Sequence, residues 1–80
     1  MWRYLVERLV GYKPDGTALY YVEIGGPSKV NNVDTTKPTT ASDGCSDLCS
    51  LSILTEDDTG DVYFYNEENG WGDPIFSFKS

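Results

Sequence analysis

Histidine is absent, so the side chain most often used for proton transfer near neutral pH and the commonest metal ligand are both missing. Neither a Ser–His nor a Cys–His nucleophile pair can be assembled from these residues. Cysteine is nearly absent. Cys45 and Cys49 have three residues between them and no second pair to close a zinc site, which leaves a local disulfide, two reactive thiols or two small apolar side chains. The last is favoured in a chain expected to be cytosolic, because Cys49 falls inside an apolar alternation. Long apolar runs are missing too. The longest, at residues 18–22, is strand-sized against the roughly 18 residues a membrane span requires, and no membrane association is expected. Residues 1–8 break their apolar positions with charge and lack the continuous apolar centre of a secretion signal, hence the cytosolic expectation. Basic charge is scarce in the second half, where Lys79 stands alone against nine carboxylates, whereas residues 1–40 carry five basic side chains against four acidic ones. A field of that sign repels nucleic acid and attracts basic surfaces, so direct nucleic-acid binding is not expected. A phosphate-cradling loop is also lacking, since Gly25-Gly26-Pro27 is not followed by a lysine and a helix in the required order.

What is present suits a small folded unit. The 80 residues are enough for a single domain over 1–80, and a 39% hydrophobic content is too high for a wholly disordered chain. A core of this size yields only about 3 to 5 kcal/mol and usually leans on a disulfide, a metal or a partner chain. Assembly with a larger protein complex, or as a homo-oligomer, is therefore a physical expectation.

The pattern is mainly β: two hairpin units, about five short antiparallel strands in all, forming a small sheet or a compact barrel or sandwich around a long central loop. Residues 2–11 alternate imperfectly, with Trp2, Tyr4 and Val6 on one side, and read as the first strand. Lys13-Pro14-Asp15-Gly16 is a turn, since proline presets φ and Gly16 accepts a positive φ. Residues 17–24 return as a strand with Ala18, Tyr20, Val22 and Ile24 on one face, and Gly25-Gly26-Pro27 is expected to end the ladder. Residues 28–44 are almost free of large apolar groups and are expected as a flexible loop, or as an arm that orders against a neighbour. Residues 49–53 alternate apolar and hydroxyl side chains, predicting a strand with Cys49, Leu51 and Ile53 inward and both serines outward. An acidic turn at 55–60 leads to a strand at 61–65 with Val62 and Phe64 opposed to Tyr63 and Tyr65. A further turn at 66–70, Trp71 and the apolar residues 75–78 complete a three-stranded meander.

The carboxylates are plentiful but lie in turn-like segments, whereas paired-carboxylate catalysis needs them in a cleft with one pKa raised by burial. The cluster of Asp57, Asp58 and Asp61 lacks the spacing and terminal bidentate glutamate of an EF-hand. No catalytic residue, metal site or cofactor is expected. Six tyrosines and two tryptophans remain, and amphipathic aromatics on strands suit both a core and a protein interface. Trp2, Tyr20, Phe64 and Trp71 are core candidates, and Tyr63 and Tyr65 are expected on the more exposed face. The candidate interaction surface comprises Tyr63, Tyr65 and Trp71 with Asp57, Asp58, Asp61, Glu67 and Glu68.

The run Asp58-Thr59-Gly60-Asp61-Val62-Tyr63-Phe64-Tyr65-Asn66-Glu67-Glu68-Asn69-Gly70-Trp71 resembles the D-T-G-x-V-Y-x-F/Y-x-E-x-x-x-W ending of short proteins from bacteriophages and prophages of Gram-positive bacteria. The resemblance implies a β-hairpin closed by a tryptophan and a capsid or tail component, made in the host cytoplasm and carried in the virion. This chain departs from that pattern in placing Gly70 before Trp71 and adding Gly72-Asp73-Pro74 and another apolar strand. An alternative expectation is an acidic phage-encoded inhibitor that offers its carboxylates to a basic nuclease surface.

Overall fold

The first hairpin forms where its turn chemistry places it. β1 (Arg3–Tyr12) and β2 (Ala18–Gly26) run antiparallel, joined by a turn in which the Gly16 N–H donates to the Lys13 carbonyl at 2.9 Å with Gly16 at φ 92°. β2 keeps its period, so Val22 and Ile24 point into the core with Tyr20 packed beside them. β1 does not. Tyr4 lies opposite Ile24 but Val6 lies opposite Glu23, so Leu5 is an extra residue, and a second register step falls at Val10. Each bulge inverts the parity of the residues beyond it, which corrects the expected grouping: Val6 shares a face with Glu23 and not with Trp2 and Tyr4. The ladder also runs further than expected, through both glycines to Pro27. A Cβ on Gly26 would stand 2.4 Å from Cε3 of Trp2, so the bare backbone there admits the indole.

The computed structural model describes residues 1–78, which contain only β-structure: after the first hairpin come β3 (Lys29–Val30), β4 (Val33–Asp34), β5 (Asp47–Leu48), β6 (Ile53–Glu56), β7 (Asp61–Phe64) and β8 (Phe76–Ser77). β3 and β4 are a separate two-stranded ribbon around Asn31 and Asn32, both at positive φ as a tight hairpin turn requires. The other strands form one mixed, open sheet in the order β1-β2-β6-β7-β8, with β5 also on β2. The two hairpin units thus join as a single sheet, through parallel pairing of β2 with β6. The meander of β6, β7 and β8 is antiparallel, as its sequence pattern requires.

Two inward-facing assignments are reversed. Residues 49–52 are a turn and not a strand: Leu51 has φ 74° and is 65% exposed, while Ser52 is 0% exposed. The left-handed residue resets the alternation. Ser52 is buried because its Oγ accepts the Val22 N–H at 3.1 Å, filling the gap in the ladder between the β2–β5 and β2–β6 pairings. On β7, Tyr63 is 8% exposed and Phe64 39%, the opposite of the expectation. Pairing with β6 decides this, since Tyr63 sits opposite the buried Leu54 and Phe64 opposite Ile53. The core consists of Val22, Ile24, Leu48, Leu54, Tyr63 and Trp71, with Trp2, Tyr4, Tyr20 and Tyr65 packed against it. Burying each large aliphatic side chain contributes about 1.5 to 3 kcal/mol.

Candidate functional site

Paired residues share a face of a sheet, so the register assigns two sides. Tyr4, Ile24, Leu54 and Tyr63 form one row across four strands, and Val6, Glu23, Ile53 and Phe64 form a row of the opposite parity. The first belongs to a covered face. The second, with Arg3, Gly25, Thr55, Val62 and Phe76, belongs to an open one.

The cover on the first face is the polar segment expected as a loop or arm, which lies over the chain's own body. Its carbonyls accept from aromatic donors: Trp2 Nε1 donates to Thr36 O at 2.9 Å, Trp71 Nε1 to Pro38 O at 2.7 Å and Tyr4 OH to Thr40 O at 2.7 Å. Between these, Lys37 Nζ stands 4.2 Å from the centroid of the Tyr63 ring and 3.6 Å from Glu56 Oε2. Glu56 is itself buried, and its Oε1 accepts from Thr59 Oγ1 at 2.7 Å and Tyr63 OH at 3.4 Å. Burial, then the facing carboxylates of Glu56, Asp61 and Asp73, push the Tyr63 phenol above its ordinary range, so it stays a neutral donor. Further along, the Glu7 carboxylate accepts from both the N–H and the Oγ of Ser42.

The open face carries one group of the molecule's exposed apolar side chains, on and beside β7 and β8; others lie along β1, on the β3–β4 ribbon and at Leu51. Half-buried Ile53 is opposite Phe64, buried Val62 is opposite Phe76, and Ile75 and Phe78 flank β8. Phe64, Ile75, Phe76 and Phe78 are all exposed, with the last two rings 6.3 Å apart. β1 limits this face on the other side. It is a long edge strand, but its two bulges and the charges of Arg3, Glu7 and Arg8 are the devices that discourage strand addition.

The surface expected from the sequence is not a single patch. Tyr63 and Trp71 are core side chains, and Tyr65 is half-buried edge-on against Trp71 at 4.9 Å. Asp57 pairs with Arg3 at 2.7 Å. Asp58 accepts from the N–H and the Oγ of Ser28, and these bonds hold its carboxyl below the ordinary range. Glu67 accepts from the Ser50 N–H at 3.0 Å. Asp61 is half-buried at the start of β7, and Glu68 is exposed beyond its end. Sequence reasoning missed Phe64 and Phe76 as exposed residues. The signal that could have found Phe64 was its place between two tyrosines, which can bury a ring and still satisfy a hydroxyl.

Among the described residues no pocket forms, and no group of three His, Cys, Asp or Glu side chains is placed to hold a metal ion. No helix of the described residues is long and apolar enough to cross a membrane. No family model matches the chain, no curated protein matches it, and no solved structure matches it.

Proposed function

We propose that this chain is a non-enzymatic interaction module that docks on a larger protein assembly through the open face of its sheet. The observation that carries this reading is the grouping of exposed Phe64, Ile75, Phe76 and Phe78 on and beside β7 and β8, with half-buried Ile53 opposite Phe64, while the other face has its own lid. Apolar rings grouped on a small acidic protein favour removal from water, and a partner surface supplies that. The likeness of residues 58–71 to the ending of short phage proteins supports a virion as the assembly, with the chain as a capsid or tail component.

The test is direct. Phe64→Glu places a charge in the patch, and because Phe64 is exposed the variant is expected to keep the fold, which circular dichroism checks. Particles made with this variant are expected to lose the protein, measured by mass spectrometry of purified virions against the unmodified chain. Recovery of the unmodified protein only as a free monomer, absent from particles, overturns the virion reading. The acidic-inhibitor reading ranks second, because Asp57 and Asp58 are already engaged by Arg3 and Ser28 within the chain. Nanomolar, salt-sensitive binding to a nuclease, lost when Asp57, Asp58 and Asp61 are neutralised, would reverse that ranking.

A further inference from the structure

The segment that covers the sheet is held unlike a core layer. Between Thr35 and Thr40 no side chain is buried. What fixes it is a row of donors reading its backbone: Trp2, Trp71 and Tyr4 donate to the carbonyls of residues 36, 38 and 40 in turn. In an extended chain alternate carbonyls point the same way, so a donor row of this spacing fits any extended polypeptide. One side chain is read as well. Lys37 enters a recess in which the Tyr63 ring supplies a negative face and Glu56, with a side chain only 7% exposed, supplies a buried charge. Pro38 comes next in the chain. A residue without an N–H leaves no orphan donor where its carbonyl is turned toward Trp71.

We propose that this covered face is a peptide-binding site for an extended segment with a lysine followed by proline, filled within the free chain by residues 35–40. The preferred occupant in trans is a partner polypeptide carrying the same step, for three physical reasons. The backbone row is indifferent to sequence, the buried Glu56 selects a cation, and Asp61 and Asp73 lie near enough to act on the Tyr63 hydroxyl, extending the negative field around the recess. The internal segment then acts as a competitor at high effective concentration, and the site is read by a partner only when that segment is displaced. This site lies on the opposite face from the apolar patch and does not depend on it.

The probe is a blocked hexapeptide, Thr-Thr-Lys-Pro-Thr-Thr, with a second peptide carrying alanine for lysine. Lys37→Glu sets a carboxylate against Glu56 and drives the internal segment off. The variant is expected to bind the lysine peptide about tenfold or more tighter than the unmodified chain does, with the indole N–H resonances of Trp2 and Trp71 shifting on titration. Adding Glu56→Gln to Lys37→Glu is expected to cancel the preference for lysine while leaving the indole shifts. Should Lys37→Glu fail to fold, the unmodified chain is titrated with millimolar peptide, and saturable shifts of both indoles are expected. Equal binding of the two peptides to folded Lys37→Glu, or no indole shift in any folded form, overturns the proposal.

Discussion

The two faces of this sheet are built from the same strands, yet one is covered by the chain's own polar segment and the other presents exposed rings to water. On the covered face Ile24, Leu54 and Tyr63 stand in a row beneath a polar segment whose own side chains contribute little burial. Water is excluded by backbone, and the aromatic hydroxyl and indole groups satisfy that backbone. On the open face, residues one position away are more accessible: Ile53 is half-buried and Phe64 exposed. A small protein can therefore complete one side of a sheet with a segment that composition marks as unstructured, provided the sheet supplies the donors. It then has nothing left for the other side.

The largest expected contrast is between neighbours on β6. Leu54→Ala removes a fully buried side chain and is expected to cost about 2 to 5 kcal/mol, close to the whole stability of a domain this size, whereas Ile53→Ala is expected to cost under about 1.5 kcal/mol. Urea melts of the pair measure it, and equal costs would erase the distinction between the faces. A pair of glycines sharpens it next. Gly26→Ala drives a methyl into the Trp2 ring and is expected to destabilise by about 1 to 3 kcal/mol, while Gly11, with nothing within 4 Å of its Cβ position, is expected to accept alanine within about 0.5 kcal/mol. Thermal denaturation of both variants decides it.

A smaller effect separates two hydroxyls. Ser52→Ala orphans the buried Val22 N–H and is expected to cost about 1 to 2 kcal/mol; Thr55→Ala, on the open face, is expected to cost under about 1 kcal/mol. Hydrogen exchange at Val22, faster in Ser52→Ala than in Thr55→Ala, is the accompanying signature. The smallest effect is in acid. The carboxyls of Asp43 and Asp58 have folded pKa values depressed below 3.8, by backbone N–H donors of Cys45 and Ser46 and of Ser28 respectively. Their contribution is present above the unfolded value and is lost as pH falls through the folded one, so stability declines below about pH 4. A melting-temperature profile from pH 6 to pH 2 is expected to flatten at its acid end in Asp58→Asn.

The clearest failures of the sequence pattern have local causes. One extra residue at Leu5 moved Val6 to the other face, and a left-handed Leu51 turned an apparent strand into a turn with its serine inside. Both are shifts of a single residue, and a period of two converts such a shift into a complete inversion. The exposure of two rings was inverted in the same way: Tyr63 and Phe64 exchanged sides because their pairing with β6 is a long-range choice.

Local chemistry alone determined the all-β class, the turn at Pro14-Asp15-Gly16 and the first hairpin, because φ preferences and short-range alternation act between neighbours in the chain. The meander was legible with shifted bounds, since Thr55 and Glu56, expected in the turn at 55–60, belong to β6. Tertiary structure alone decided the parallel joining of β2 to β6, the laying of residues 35–42 across the sheet, and which aromatic rings meet water. Those outcomes depend on where donors and acceptors distant in sequence come to rest. A buried N–H or carboxylate accepts whichever partner the assembled fold brings within reach.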